Sequence, residues 1–248
     1  MKPAVSYHLS SPLLGWSQVP NGEQLREIEN KLIAQKLKLC FGHHLLKVGA
    51  LASELDCTES LIEHQINLIN QPSLGANAGL IAEYDDLPLQ SNSIDLVMLT
   101  HILEYSTDPH QVLREAHRVL LANGNIVLSI FNPWSALLTN RLWPFKTKSH
   151  FWQFRLFTVG RVKDWLNLLG FEVTDIQYDA YSGFLGKYNG NLGWWGRMKM
   201  RFFPTTGAVC VITARKREWP LTPIRPRLRY KSRFSPAIPA ANKVKVSD

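Results

Sequence analysis

Three side chains near the middle of the chain are of types that do chemistry: Glu83, which closes a short apolar stretch, His101, and Glu104 three residues further on. A histidine is the usual general base, and a carboxylate at the end of a strand can accept a hydrogen bond from a ligand. Each also has a plainer reading. His101 could cap or pack, Glu104 reads as structural, and Glu83 could be a solvated loop carboxylate beside Asp85 and Asp86. Other catalytic classes find little support, because the sequence holds no Gly-x-Ser-x-Gly elbow, no Walker loop and no His-Glu-x-x-His zinc pattern. Cys40, Cys57 and Cys210 show no paired spacing and read as small buried hydrophobes in a reducing compartment.

The elements that must position these groups follow from periodicity. Ser93 to Leu99 (SIDLVML) is a short apolar run after a polar turn, the pattern of a strand buried on both faces. Asp108 offers a side-chain N-cap and Pro109 fits a first helical position, while Val112, Leu113, Ala116, Val119 and Leu120 recur at helical spacing. Asn123-Gly124 is expected to end that helix in a left-handed conformation, before a second apolar, β-branched run from Asn125 to Phe131. Strand, helix and strand in so short a span make a βαβ unit with parallel strands, hence an α/β sandwich. Outward from it, Asn21 to Leu39 suits an amphipathic leading helix and Leu45 to Gly49 a first strand. A second strand, His64 to Ile69, is expected to end near Asn67. Thr158 to Gly170 reads as a helix, Phe171 to Ile176 as a strand and Gly207 to Ala214 as the last strand.

The order Glu83, Leu87-Pro88, Ile94-Asp95-Leu96-Val97, His101 to Glu104, Asp108-Pro109, Arg114-Glu115, Asn123-Gly124 resembles the middle of a class I S-adenosylmethionine (SAM) dependent methyltransferase. The likeness is to the quinone-biosynthesis, type 11 branch, and it covers roughly residues 22 to 217. It implies a Rossmann-like three-layer sandwich with a mostly parallel seven-stranded sheet, SAM as cofactor, and transfer of a methyl group to a small, aromatic or apolar acceptor. It further implies that Glu83 accepts the exocyclic amine of adenine while Tyr84 packs beside the ring, and that Gly49, Asn67 and Thr100 complete the cofactor set. His101 falls where the methionine end of SAM and the acceptor meet, and is the candidate base.

Departures from the family pattern fall in the first half. Lys47 stands where the first strand usually ends in an acid, and Leu51 and Ser53 replace glycines of the following loop. A Cβ at a left-handed position costs on the order of 1–2 kcal/mol, so either the loop has another shape or the cofactor binds weakly. Asn67 replaces an acid expected to grip the ribose. Two functions from different classes therefore stay open: a SAM-dependent methyltransferase, or a methyltransferase-fold binding or regulatory module that has lost SAM.

Aromatic and basic side chains interleave in residues 132–157 and 182–204, which read as lid or substrate segments or as clusters packed on the sheet edge. The net charge of +8 is concentrated in residues 215–248, which hold ten Lys or Arg and two acids. Five prolines from Pro220 to Pro239 argue for a disordered basic C-terminal tail, 218–248, after a 22–217 domain and a 1–21 N-terminal extension. Such a tail makes weak RNA, ribosome or anionic-membrane contact, or simply solubilises. With 45% apolar residues, no signal-like stretch and no run of eighteen apolar residues, the expectation is one cytoplasmic α/β domain with no transmembrane segment.

Overall fold

The run from Ser93 contains a strand, β4 (Ile94–Thr100), whose side chains alternate between two cores. Leu96 and Met98 join one, Val97 and Leu99 the other, the period of two expected of a strand covered on both faces. Six more strands complete the sheet: β1 (His44–Val48), β2 (His64–Ile69), β3 (Leu80–Ile81), β5 (Leu120–Phe131), β6 (Phe171–Asp179) and β7 (Val209–Lys216). Their order is β3-β2-β1-β4-β5-β7-β6. The strands from β1 to β5 pair in parallel, and β7 runs antiparallel to β5 and β6. The computed structural model describes residues 13–71, 79–135, 154–181 and 204–218. All lie in the first of two units, Met1–Glu218. Residues 1–12, most of the two lid segments (136–153 and 182–203) and the basic tail from residue 219 lie outside the described residues.

Helices cover both faces, and two single-turn helices, α2 (Ala50–Ser53) and α3 (Ile102–Tyr105), follow β1 and β4. α1 (Gly22–Leu37) buries Leu25, Ile28, Leu32, Ile33 and Leu37 in the first core, where Trp16 joins them. α4 (Pro109–Val119) and α5 (Val159–Leu168) place Val112, Leu113 and Ala116, and Val162, Trp165 and Leu166, in the second. Each such side chain contributes about 1.5–3 kcal/mol by leaving water, so the two stripes hold the layers together. The result is the three-layer sandwich expected. α4 starts where its sequence says it should: Asp108 Oδ1 accepts the N–H of His110 and of Gln111, both at 3.0 Å.

The end of α4 differs from the expectation. The helix stops at Val119, Leu120 is already extended, and β5 begins there. Asn123 is left-handed, at φ 63°, but it sits inside the strand, where the pairing of β5 with β4 shifts between Ile94 and Leu96. Asn-Gly thus makes a bulge instead of a helix stop, and both uses need the same backbone freedom. A Cβ on Gly124 would stand 2.9 Å from the Leu121 carbonyl oxygen and 3.0 Å from that of Asp95, so the close strand approach there requires glycine.

Candidate functional site

The strand order reverses between β1 and β4, and in an open α/β sheet the crevice beyond that reversal is where ligands bind. A cleft enclosing about 650 Å³, part of it open to solvent, lies there. Its walls come from the turn after β1, the ends of β2 and β3, and the segment from Thr100 to Thr107 after β4.

Gly49 follows β1 at φ 100°, and a Cβ there would stand 2.3 Å from Ile102 Cδ1. The chain then turns helical at once, in the four-residue α2 (Ala50–Ser53). Leu51 and Ser53 are helical and carry no left-handed strain, so the loop has the other shape that the sequence left open. Leu51 is buried and lines the cleft, and its carbonyl accepts the indole N–H of Trp16 at 3.1 Å. Lys47 takes no part in the cleft wall: its buried ammonium donates to the Leu55 carbonyl at 2.9 Å.

At the next wall β2 continues to Ile69, and Asn67 lies mid-strand, in register with Lys47. The residue that reaches the cleft is Asn70, which accepts the Tyr84 hydroxyl at 3.0 Å. Burial pushes the Tyr84 hydroxyl up to about 12. Glu83, exposed, and Asp85 line the same side. Their loop is clamped from α4: Arg118 donates to the carbonyls of Leu87 and Leu89, and Glu115 accepts the Leu87 N–H at 3.0 Å. That is the work of the Leu-Pro turn and of Glu115, one half of the Arg-Glu pair, read in the sequence.

The third wall is ionic. His101, left-handed at φ 53°, is 1% exposed and stacks on Phe131 with ring centres 3.7 Å apart. Its Nε2 meets Glu29 Oε1 at 2.6 Å and its Nδ1 meets Glu104 Oε1 at 3.2 Å. Burial alone would lower its pKa, but the Glu29 carboxylate and the two hydrogen bonds outweigh that and raise it to about 9. At neutral pH both ring nitrogens therefore donate, and the imidazolium has no lone pair with which to take a proton. Thr100 is 1% exposed, lines the cleft, and its hydroxyl has no hydrogen-bond partner among the described residues.

Of the residues singled out in the sequence, the structure brings Glu83, Tyr84, Thr100 and His101 to one cleft, sets Gly49 immediately behind its rim, and leaves Asn67 outside it. Sequence reasoning missed Leu13, Asn70, Tyr105 and above all Glu29. The signal for Glu29 was present: it stands four residues after Leu25 and four before Ile33, on the apolar stripe of α1, where a charge needs a buried partner. Of the 132–157 segment, the described end packs against this wall: Phe154 lies 5.7 Å from Tyr105, and Arg155 donates to the carbonyls of Ser106 and Thr107.

A model of the methyltransferase domain family matches residues 43–128, from the start of β1 into β5. YafS, an uncharacterized protein of Escherichia coli (strain K12), is 34% identical over 207 residues, 84% of this chain and 82% of YafS. The Haloferax volcanii protein solved in complex with the Trm112 methyltransferase activator superposes with a TM-score of 0.55 over 82% of this chain and 95% of its own, at 16% identity. The chain belongs to the class I SAM-dependent methyltransferases. A SAM-dependent methyltransferase of Archaeoglobus fulgidus has the same fold, with a TM-score of 0.53, 18% identity, and coverage of 77% of this chain and 94% of its own. At such identities the solved structures speak for the fold alone. No helix among the described residues is long and apolar enough to cross a membrane.

Proposed function

We propose that the cleft binds SAM and that the protein transfers its methyl group to a small, aromatic or apolar acceptor. The observation that carries this reading is the buried Thr100 hydroxyl, which has no hydrogen-bond partner among the described residues, in the cleft at the sheet's reversal point, opposite the glycine that keeps the β1 turn narrow. Those features fit the cofactor. Glu83 would accept the adenine amine beside Tyr84, the backbone from Gly49 to Leu51 would lie along the ribose and methionine, and Thr100 would take a polar atom near the reacting end.

When bound, SAM supplies an activated methyl group on a sulfonium. The chain's own task is then alignment and exclusion of water. Leu13, Leu51, Ile102 and Tyr105 give the cleft apolar wall, suited to an aromatic or apolar acceptor. His101, held as an imidazolium, shapes the floor instead of removing a proton, so the acceptor must be nucleophilic without it.

Leu51 favours a second reading. Its side chain stands in the cleft where a glycine would leave room, which suits a binding module that has lost SAM. Calorimetric titration with SAM separates the two. Micromolar binding, weakened about tenfold or more by Glu83→Ala, supports the enzyme, and no heat or thermal shift at millimolar ligand supports the module. The same reading places the protein in the cytoplasm and gives the basic tail, residues 218–248, a weak, salt-sensitive contact with RNA, ribosome or anionic membrane. Retention on such surfaces should fall with added salt and with removal of residues 218–248.

A further inference from the structure

At the end of the β1–β2 ladder away from the cleft, two imidazoles face each other. The register pairs His44 with His64 at the start of both strands, so their side chains leave the same face of the sheet. Leu46 and Val48, and Leu68 on β2, follow on that face and enter the second core, while His64 is exposed and His44 half-buried at the rim. The two Nδ1 atoms stand 2.8 Å apart, and the rings meet edge to face with centres 4.9 Å apart and planes at 82°. The backbone beneath His44 is pinned: Asp95 Oδ2 accepts the N–H of His43 at 2.8 Å and that of His44 at 2.9 Å.

Two neutral imidazoles at that distance hold one proton between their facing nitrogens, one ring donating and the other accepting. A metal ion can take that proton's place. Two bonds of about 2.0 Å to one tetrahedral ion set their nitrogens about 3.3 Å apart, so the rings need to part by only about 0.5 Å, a movement that rim side chains accommodate. Each ring then carries its proton on Nε2: one ring changes tautomer, and no proton is lost. Neutral imidazole suits Zn²⁺, Ni²⁺ and Cu²⁺, and not the oxygen-seeking Mg²⁺. Among the described residues no group of three His, Cys, Asp or Glu is placed to hold a metal, so the pair supplies two ligands and water the rest. We propose that His44 and His64 form a two-histidine site for a divalent transition-metal ion, which joins β1 to β2 from the solvent side. The two residues are 20 apart in sequence and meet only when the strands pair, so the ion binds the folded chain and stabilises it. The site does not depend on the reading of the cleft, which lies past the opposite ends of the same strands.

The test is calorimetry and thermal unfolding of the full chain, free of any histidine tag, with Zn²⁺, Ni²⁺ or Mg²⁺ chloride at neutral pH. Zn²⁺ and Ni²⁺ at about 100 μM should bind and raise the Tm, and Mg²⁺ should do neither. His64→Ala should weaken Ni²⁺ binding by about tenfold or more and remove the rise in Tm. His43→Ala, which alters the neighbouring ring outside the pair, should hold the affinity within about twofold of the wild type. No binding to the wild type at about 1 mM metal overturns the inference, as does equal affinity in the wild type and His64→Ala, or a loss in His43→Ala as large as in His64→Ala. If His64→Ala does not fold, the wild type alone decides. Cu²⁺ added at about one equivalent should show two imidazole nitrogens in its electron paramagnetic resonance spectrum, and one or none overturns the site.

Discussion

Two of the three walls of the cleft are built by different physics. The wall after β1 is backbone and apolar surface: Gly49 leaves room for Ile102, Leu51 fills space, and one indole N–H ties the turn down. The wall after β4 is an ionic cluster reaching from α1 through His101 to β5. A backbone wall fails when atoms are added, and a charge wall fails when charge is removed. The first tolerates a leucine where the family pattern has a glycine, because the helical turn of α2 asks nothing of the backbone that leucine cannot give. The second tolerates little, because each member satisfies another.

Breaking the ionic wall should have the largest effect. His101→Asn keeps a residue that accepts φ 53° but leaves two buried carboxylates without their cation, and should cost about 3–5 kcal/mol in denaturant unfolding. The same wall predicts a pH dependence. Because His101 is raised to about 9 in the folded state from an ordinary 6.5, its contribution is complete below about pH 6.5 and is lost as pH rises through about 9. Unfolding of the wild type should show that loss, and His101→Asn should lack it.

Gly49→Ala attacks the other wall and should cost about 2–4 kcal/mol, from the positive φ and the clash with Ile102 Cδ1. Combining it with Ile102→Val, which removes that atom, should recover part of the loss in a double-mutant cycle; strict additivity would show that the contact is not the cause. Trp16→Phe removes the single bond to the Leu51 carbonyl and should cost about 1–2 kcal/mol, read as a lower Tm. The smallest effect is expected from Arg118→Ala, about 1 kcal/mol, since the guanidinium is partly solvated. Its mark should be looser SAM binding as the Glu83 loop loses its clamp.

Legibility in the sequence followed the same division. β4, α4 and β5 were readable because apolar period and cap chemistry agree over a local stretch, and Asp108 caps where its position says. Asn123-Gly124 misled because a helix stop and a bulge share one local signature, and only pairing with β4 separates them. Asn67 stands where the family pattern has an acid at a strand end, yet Leu68 and Ile69 carry β2 on, and Asn70 takes the position at the cleft. Glu29 stayed hidden because a helix charge is ordinarily solvated, and its partners His101 and Ser129 lie far along the chain.

That distance also sets an order of assembly. Glu29 and Ser129 are separated by 100 residues, so during synthesis the first member of the cluster emerges long before the last. Closing so long a loop is slow relative to forming local turns and helices, and the ionic floor can lock only after α1 docks on a sheet that already includes β5. The cleft floor is therefore completed late, and its completion reports that the first helix and the fifth strand have found each other.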